Sequence, residues 1–185
     1  MHAFTIHSQT SQGVSEMYRK ILVVVDDRVT TQSTICQAIA MAQVHRADIH
    51  FFYVMPHYEL TSFDMLPVAD LPPDEFQNKA NAQAHKLLTQ ACEMAEQAGV
   101  QSYQAMSSGK DDAKCVADAA EKRHCDLIVV GTEGSNAVMR ILNGSIIPGL
   151  ISVATKPVLV CRDTGSRDEL KRKANATQYA RHRRR

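Results

Sequence analysis

The chain has 185 residues, 44% of them hydrophobic and 22% charged, which suits one domain with an ordinary core and excludes a fibrous or wholly disordered chain. Its net charge is +1, but residues 163–185 hold eight Lys or Arg against three Asp or Glu, about +5, which leaves the rest of the chain at about −4. No apolar run approaches the roughly 20 residues a membrane helix needs, residues 1–15 lack the apolar centre of a secretion signal, and five scattered cysteines without a Cys-x-x-Cys pair argue for reduced thiols, so a cytoplasmic protein is expected.

The first element is a β-branched apolar run at 21–25, followed at once by Asp26 and Asp27. A helix is expected over 31–46, with Ile35, Ala38, Ile39 and Ala42 on one face. A second apolar run at 49–54 leads into residues 56–72, a link with three prolines that reads as a surface excursion, or alternatively as a lid. Pro73-Asp74-Glu75 opens a helix over 73–98 that Gly99 caps. A weaker strand follows at 100–106, then a helix over 111–124 carrying Val116, Ala119 and Ala120. The acidic start and basic end of that helix suit its dipole. A strand at 127–130, a short helix at 146–154 and a strand at 158–160 opened by Pro157 complete the series. All five cysteines, Cys36, Cys92, Cys115, Cys125 and Cys161, read as small buried hydrophobes.

The near-continuous apolar runs fit parallel strands buried on both faces. Their alternation with helices predicts an α/β fold, an open five-stranded parallel sheet with helices on both faces and right-handed crossovers. Ligands of such sheets sit beyond the carboxyl ends of the strands. The positions that matter are therefore Asp26 and Asp27, Met55 and Pro56, 107–109 and 131–134.

One of these carries the strongest signal. The strand ending at Val130 runs into Gly131 and Gly134, and after nine further residues Gly144 and Ser145 precede the helix at Ile146. Gly131 and Gly134 are expected to bend the chain past the strand so that backbone N–H groups face one hollow. Gly144 and Ser145 stand where a helix start favours an anion. Arg140, between the glycines, has a guanidinium that suits phosphate. A phosphate-loop motif and a strand-linked G-x-G-x-x-G are both absent. His45, His50, His57, His85 and His124 show no metal-ligand spacing, and Asp26 and Asp27, adjacent on extended chain, point opposite ways. No metal site and no catalytic constellation is assigned. The basic tail reads as solubilising, with no specific nucleic acid implied.

The segment G-x2-G-x9-G-[ST] after Asp126-Leu-Ile-Val-Val130 resembles the ATP-binding motif of the universal stress protein family. The strand ending in Asp26, the strand 51–55, Ser108-Gly109 and Pro157-Val-Leu-Val160 are similar to other family segments, over roughly 18–162. The resemblance implies a Rossmann-like, adenine nucleotide alpha hydrolase-like domain at 18–162; outside it, composition reads 1–17 as a flexible segment and the basic tail 163–185 as disordered or a frayed helix. It implies ATP as regulatory ligand, with AMP or ADP as alternatives, and Mg2+ carried on the phosphates. Asp26 would meet ribose or adenine, Val54 adenine, Gly131, Gly134, Gly144 and Ser145 the ribose and phosphates, and Ile146 would follow with its N–H. Val24 stands at the adenine end where the family commonly has proline, and Asp27-Arg28 where it has Gly-Ser or Phe-Ser. A homodimer through the last strand, from Val158 to Cys161, is implied as well. A stress-response switch with at most slow ATPase activity is expected, acting on an unknown protein partner. The alternative is a nucleotide-independent dimeric interaction module.

Overall fold

The structure, a computed structural model, describes residues 17–27, 31–56, 72–133 and 146–163. Five strands, β1 (Lys20–Val25), β2 (Asp48–Met55), β3 (Ser102–Ser108), β4 (Leu127–Glu133) and β5 (Val158–Asp163), alternate with α1 (Thr31–His45), α2 (Pro73–Gln97), α3 (Asp112–Lys122) and α4 (Ile146–Val153). The strands form one sheet in the order β3-β2-β1-β4-β5. Every pairing is parallel. The expected fold class is the one observed.

Alternation along the strands divides the core in two. Ile21, Val23 and Val25 of β1 join Phe51, Leu127 and Val129 beneath α1 and α2. Leu22 and Val24 join Phe52, Ile128 and Val130 beneath α3 and α4. Both faces of β1 are covered, which is why its apolar run is unbroken. β3, at an edge, is half-exposed along its length, and its weaker apolar signal follows from that.

Most elements shift by a residue or more at one end or both, and four of these ends have a clear local reason. α1 stops at His45 because Arg46 is left-handed, with φ 54°, and α3 stops before His124, whose φ is also 54°. β3 begins at Ser102 rather than at 100. Gly99 takes φ +71° as the α2 cap and Val100 N–H donates to Ala95 C=O at 2.9 Å, so Val100 closes the helix. β4 continues through Gly131, which pairs with Cys161, and on through Thr132 and Glu133. Gly131 is thus a strand residue and does not begin the turn, because β5 runs on to Asp163 beside it.

The uniform reading of the cysteines also needs correcting. Cys125 and Cys161 are buried, Cys92 and Cys115 half-buried, and Cys36 exposed. Cys36 falls between the buried positions Ile35 and Ala38 of α1, so its helical phase turns it outward. Burial pushes the Cys125 thiol up to about 11, which suits an inert core residue.

At the amino edge, the Asp126 carboxylate accepts from Arg19 N–H at 2.9 Å and Lys20 N–H at 3.2 Å. The Asp126 N–H donates to Lys20 C=O at 2.9 Å. This clamp sets β1 beside β4. Asp126→Ala is expected to cost about 1 kcal/mol in urea denaturation, with no effect on binding at the opposite edge. Among the described residues no helix is long and apolar enough to cross a membrane.

Candidate functional site

Strand order makes β1 the switch point. The chain leaves β1 toward β2 and β3, then crosses back to place β4 on the other side. The carboxyl edge between β1 and β4 is therefore where two crossovers diverge and leave a crevice. A hollow of about 90 Å³ lies there. Val24, Val25 and Asp26 line it from β1, Val54 from β2, and Val130 and Gly131 from β4. Thr31 and Thr34 enter from the first turn of α1, Asp112 from the start of α3, and Ile146 and Ile147 from the start of α4.

Local sequence explains each placement. Asp26 is the first residue past β1 and is half-buried. Thr31 and Thr34 share the helical phase of Ile35 and Ala38, so both residues are buried, at 8% and 2% exposure. Thr31 Oγ1 lies 2.5 Å from Asp26 Oδ1 and 2.9 Å from the Asp26 carbonyl oxygen. Asp111 caps α3 by accepting from Lys114 N–H at 3.1 Å. Asp112 is then the first helical residue, at the rim of the hollow.

The chemistry of the lining is uneven. Val24, Val54 and Val130 make an apolar floor, while Asp26 and Asp112 bring two carboxylates. Nearby, burial first and then the Asp27 and Asp26 carboxylates push the Tyr53 phenol up, so this end of the edge is negative. An acceptor-rich wall over an apolar floor suits a flat ring with hydroxyl or amine donors and opposes an anion. The opposite wall is the amino end of α4, the end at which a helix dipole favours negative charge. At about 90 Å³ the hollow is small beside sites of roughly 300–1,000 Å³ that enclose whole ligands.

Of the residues expected from sequence, Val24, Asp26, Val54, Gly131 and Ile146 all line this hollow. Gly134, Arg140, Gly144 and Ser145 lie outside the described residues, as do 57–71 of the proline-rich link and the basic tail beyond Asp163. Val25, Thr31, Thr34, Asp112, Val130 and Ile147 were not anticipated. The two threonines had a readable signal, since they are polar residues in phase with the apolar face of α1. Asp112 had none, because its position depends on which of two adjacent aspartates caps the helix. Among the described residues no group of three His, Cys, Asp or Glu is placed to hold a metal ion.

A profile of the universal stress protein family matches residues 17–162. Universal stress protein YxiE of Bacillus subtilis is 26% identical over 149 residues, covering 79% of this chain and 100% of that protein. A universal stress protein of Methanocaldococcus jannaschii is 29% identical over 150 residues, covering 79% of this chain and 83% of the relative. Among solved structures, UspA of Lactobacillus plantarum superposes with a TM-score of 0.62 at 26% identity, over 78% of this chain and 98% of its own. A universal stress protein in complex with cAMP gives 0.59 at 17% identity, over 80% and 99%. One from Archaeoglobus fulgidus in complex with dAMP gives 0.55 at 20%, over 78% and 98%. At those last two identities the likeness is one of fold.

Proposed function

The chain belongs to the universal stress protein family, and from that premise we propose that it binds ATP at the β1–β4 switch point as a regulatory ligand in a stress response. One observation carries this reading. Five residues that the family resemblance implies at a nucleotide, Val24, Asp26, Val54, Gly131 and Ile146, come from four separate parts of the chain and meet on one hollow. The dAMP and cAMP complexes of proteins with the same fold support an adenine nucleotide, with AMP or ADP as alternatives.

In this reading the valine floor takes adenine. Asp26 accepts from the ribose or the base edge. The phosphates extend away from the carboxylates and toward the amino end of α4; Gly134, Arg140, Gly144 and Ser145, outside the described residues, are the residues the family resemblance implies for holding them. Mg2+ accompanies the phosphates, where it offsets their charge. The binding unit is the domain 18–162, in the cytoplasm. The nucleotide acts as a ligand whose presence changes the surface shown to a protein partner, with hydrolysis at most slow.

The test is to denature the purified protein, resolve released small molecules by ion-exchange chromatography, and titrate ligand-free protein with ATP and Mg2+ by calorimetry. Adenine nucleotide in the first and micromolar binding in the second are expected. Absence of both rejects the proposal.

The protein is further proposed to pair with a second copy through β5, which bonds only to β4 within the described sheet. Val160 on that strand is 38% exposed, and an open edge with apolar side chains invites pairing. Val160→Lys is expected to shift a dimer to monomer in sedimentation at micromolar concentration. An unchanged sedimentation coefficient would place the interface elsewhere. Ile151 and Val153, 63% and 44% exposed, favour a second reading, a nucleotide-independent dimeric module. A stable dimer that takes up no nucleotide would support it.

A further inference from the structure

We propose that the basic tail, residues 164–185, docks in the acidic groove between α1 and α2 of its own chain. The proposal stands on the shape and charge of that groove and is independent of what the β1–β4 hollow takes up.

The groove is open and has a volume of about 580 Å³. Its floor is apolar, with Ile35 from α1 and Leu87 and Met94 from α2. Its rim carries three carboxylates, Asp26, Asp27 and Glu93, together with three glutamines. None of the described residues that line it is basic. α1 contains no Lys or Arg, and neither lysine of α2, Lys79 or Lys86, lines the groove. Such a surface fits cationic heads on apolar stems. Lysine and arginine lay their methylenes on an apolar floor while the charge reaches outward, and a guanidinium pairs with carboxylates through forked hydrogen bonds.

The tail has that chemistry and starts close by. Residues 164–185 hold eight Lys or Arg against two Asp or Glu, gathered at Lys171-Arg172-Lys173 and from Arg181 to Arg185. They follow β5, which ends at Asp163 on the carboxyl edge of the sheet, the edge at which α1 begins. α1 packs against β5 on one side and α2 on the other, so one helix separates the start of the tail from the groove. Packed helices lie about 10 Å apart, and a flexible segment of this length spans about 25 Å. Exposed ion pairs are individually weak and screened by salt, so a free basic peptide would be held loosely. Tethering gives the tail a local concentration of roughly millimolar, which favours it over a free peptide as the occupant.

The chain has no tryptophan, so Tyr179→Trp places a single fluorophore in the tail of the full chain. Its anisotropy is expected to fall about twofold between low salt and roughly 0.5 M salt, as screening of surface pairs requires. Adding Glu93→Lys, or the Asp27→Asn/Glu93→Lys pair, is expected to give the high-salt value already at low salt. Both side chains are exposed, so the melting temperature should hold; if Glu93→Lys melts early, Glu93→Gln takes its place. Asp118→Lys makes the same charge change at an exposed position of α3, on the other face of the sheet, and is expected to leave the anisotropy unaltered. Anisotropy indifferent to salt and to Glu93→Lys, or an equal loss with Asp118→Lys, would overturn the proposal. Excess chain with an intact groove and no tryptophan, mixed with the Tyr179→Trp/Glu93→Lys chain, is expected to leave the anisotropy low. Recovery in that mixture would mean that the tail seats on another copy, and would overturn docking within one chain. Low anisotropy that rises only with added duplex DNA or phosphatidylserine vesicles would assign the tail to those surfaces and overturn it as well.

Discussion

Gly131→Val is expected to weaken ATP binding by about fiftyfold while leaving the protein folded. Gly131 pairs with Cys161 in the β4–β5 ladder. Alternation puts any side chain at 131 on the same face as Val129, toward α1. There the wall of the hollow is Thr31 and Thr34, and the space is about 90 Å³. An isopropyl group there occupies space that a ligand would otherwise use. Overpacking of this kind costs roughly 1–3 kcal/mol, and about 1.4 kcal/mol is tenfold in affinity. The penalty falls on the liganded state, because the ligand must share the space with the new side chain. The backbone has no objection, since a β-branched residue suits a strand. Calorimetry with ATP and a thermal melt of ligand-free protein check both halves. Normal affinity would mean that the nucleotide does not touch this wall.

The second large effect is one of stability carried into binding. Leu150→Ala is expected to lower stability by about 3 kcal/mol, as a buried leucine truncation does, read as a fall in urea midpoint. Leu150 is the fully buried residue of α4, at 0% exposure, and packs with Val116, Ala120 and Ile128. α4 has only eight residues, too few to persist without docking. It also lies close on α3, since a Cβ added at Gly149 would sit 3.1 Å from Ala113 Cβ. Loosening α4 moves Ile146 and Ile147, which line the hollow. ATP affinity is expected to fall by about tenfold as part of the docking energy is spent on re-forming the helix. Loss of stability with full affinity would show that α4 forms no part of the ligand wall.

Much of the fold is legible without coordinates because its signals are local. A strand covered on both faces has to be apolar at every position, as residues 21–25 of β1 are, and a helix covered on one face has to repeat at 3.6, as Ile35, Ala38, Ile39 and Ala42 do. The errors arise where an end depends on a partner. Arg46 and His124 terminate helices in left-handed conformations that side chains other than glycine adopt only when the next element is already placed. Gly131 stays in β4 because β5 pairs with it, which no window around residue 131 reveals. Thr31 and Thr34 were missed for another reason. Periodicity was read for apolar residues alone, and polar residues in the buried phase are where a helix faces a site.

By itself, the amino-acid sequence determined the order of elements, the parallel α/β class and the glycine-spaced segment after β4. It also marked Asp26 as a residue just past a strand end, where ligands of such sheets are held, while Val54 and Ile146 came only from the resemblance to the universal stress protein family. The order, the class and the segment follow from composition and periodicity within a few turns or strands of chain. Only the tertiary structure decided that β1 lies between β2 and β4, that Asp26 therefore meets Gly131 across one hollow, and that the Thr31 hydroxyl bonds the Asp26 carboxylate. The physical reason is that neighbours in a parallel sheet are chosen by packing among elements distant in sequence. β1, β2 and β4 are each apolar enough to sit in the middle of the sheet, and only the joint burial of both helix layers selects one order.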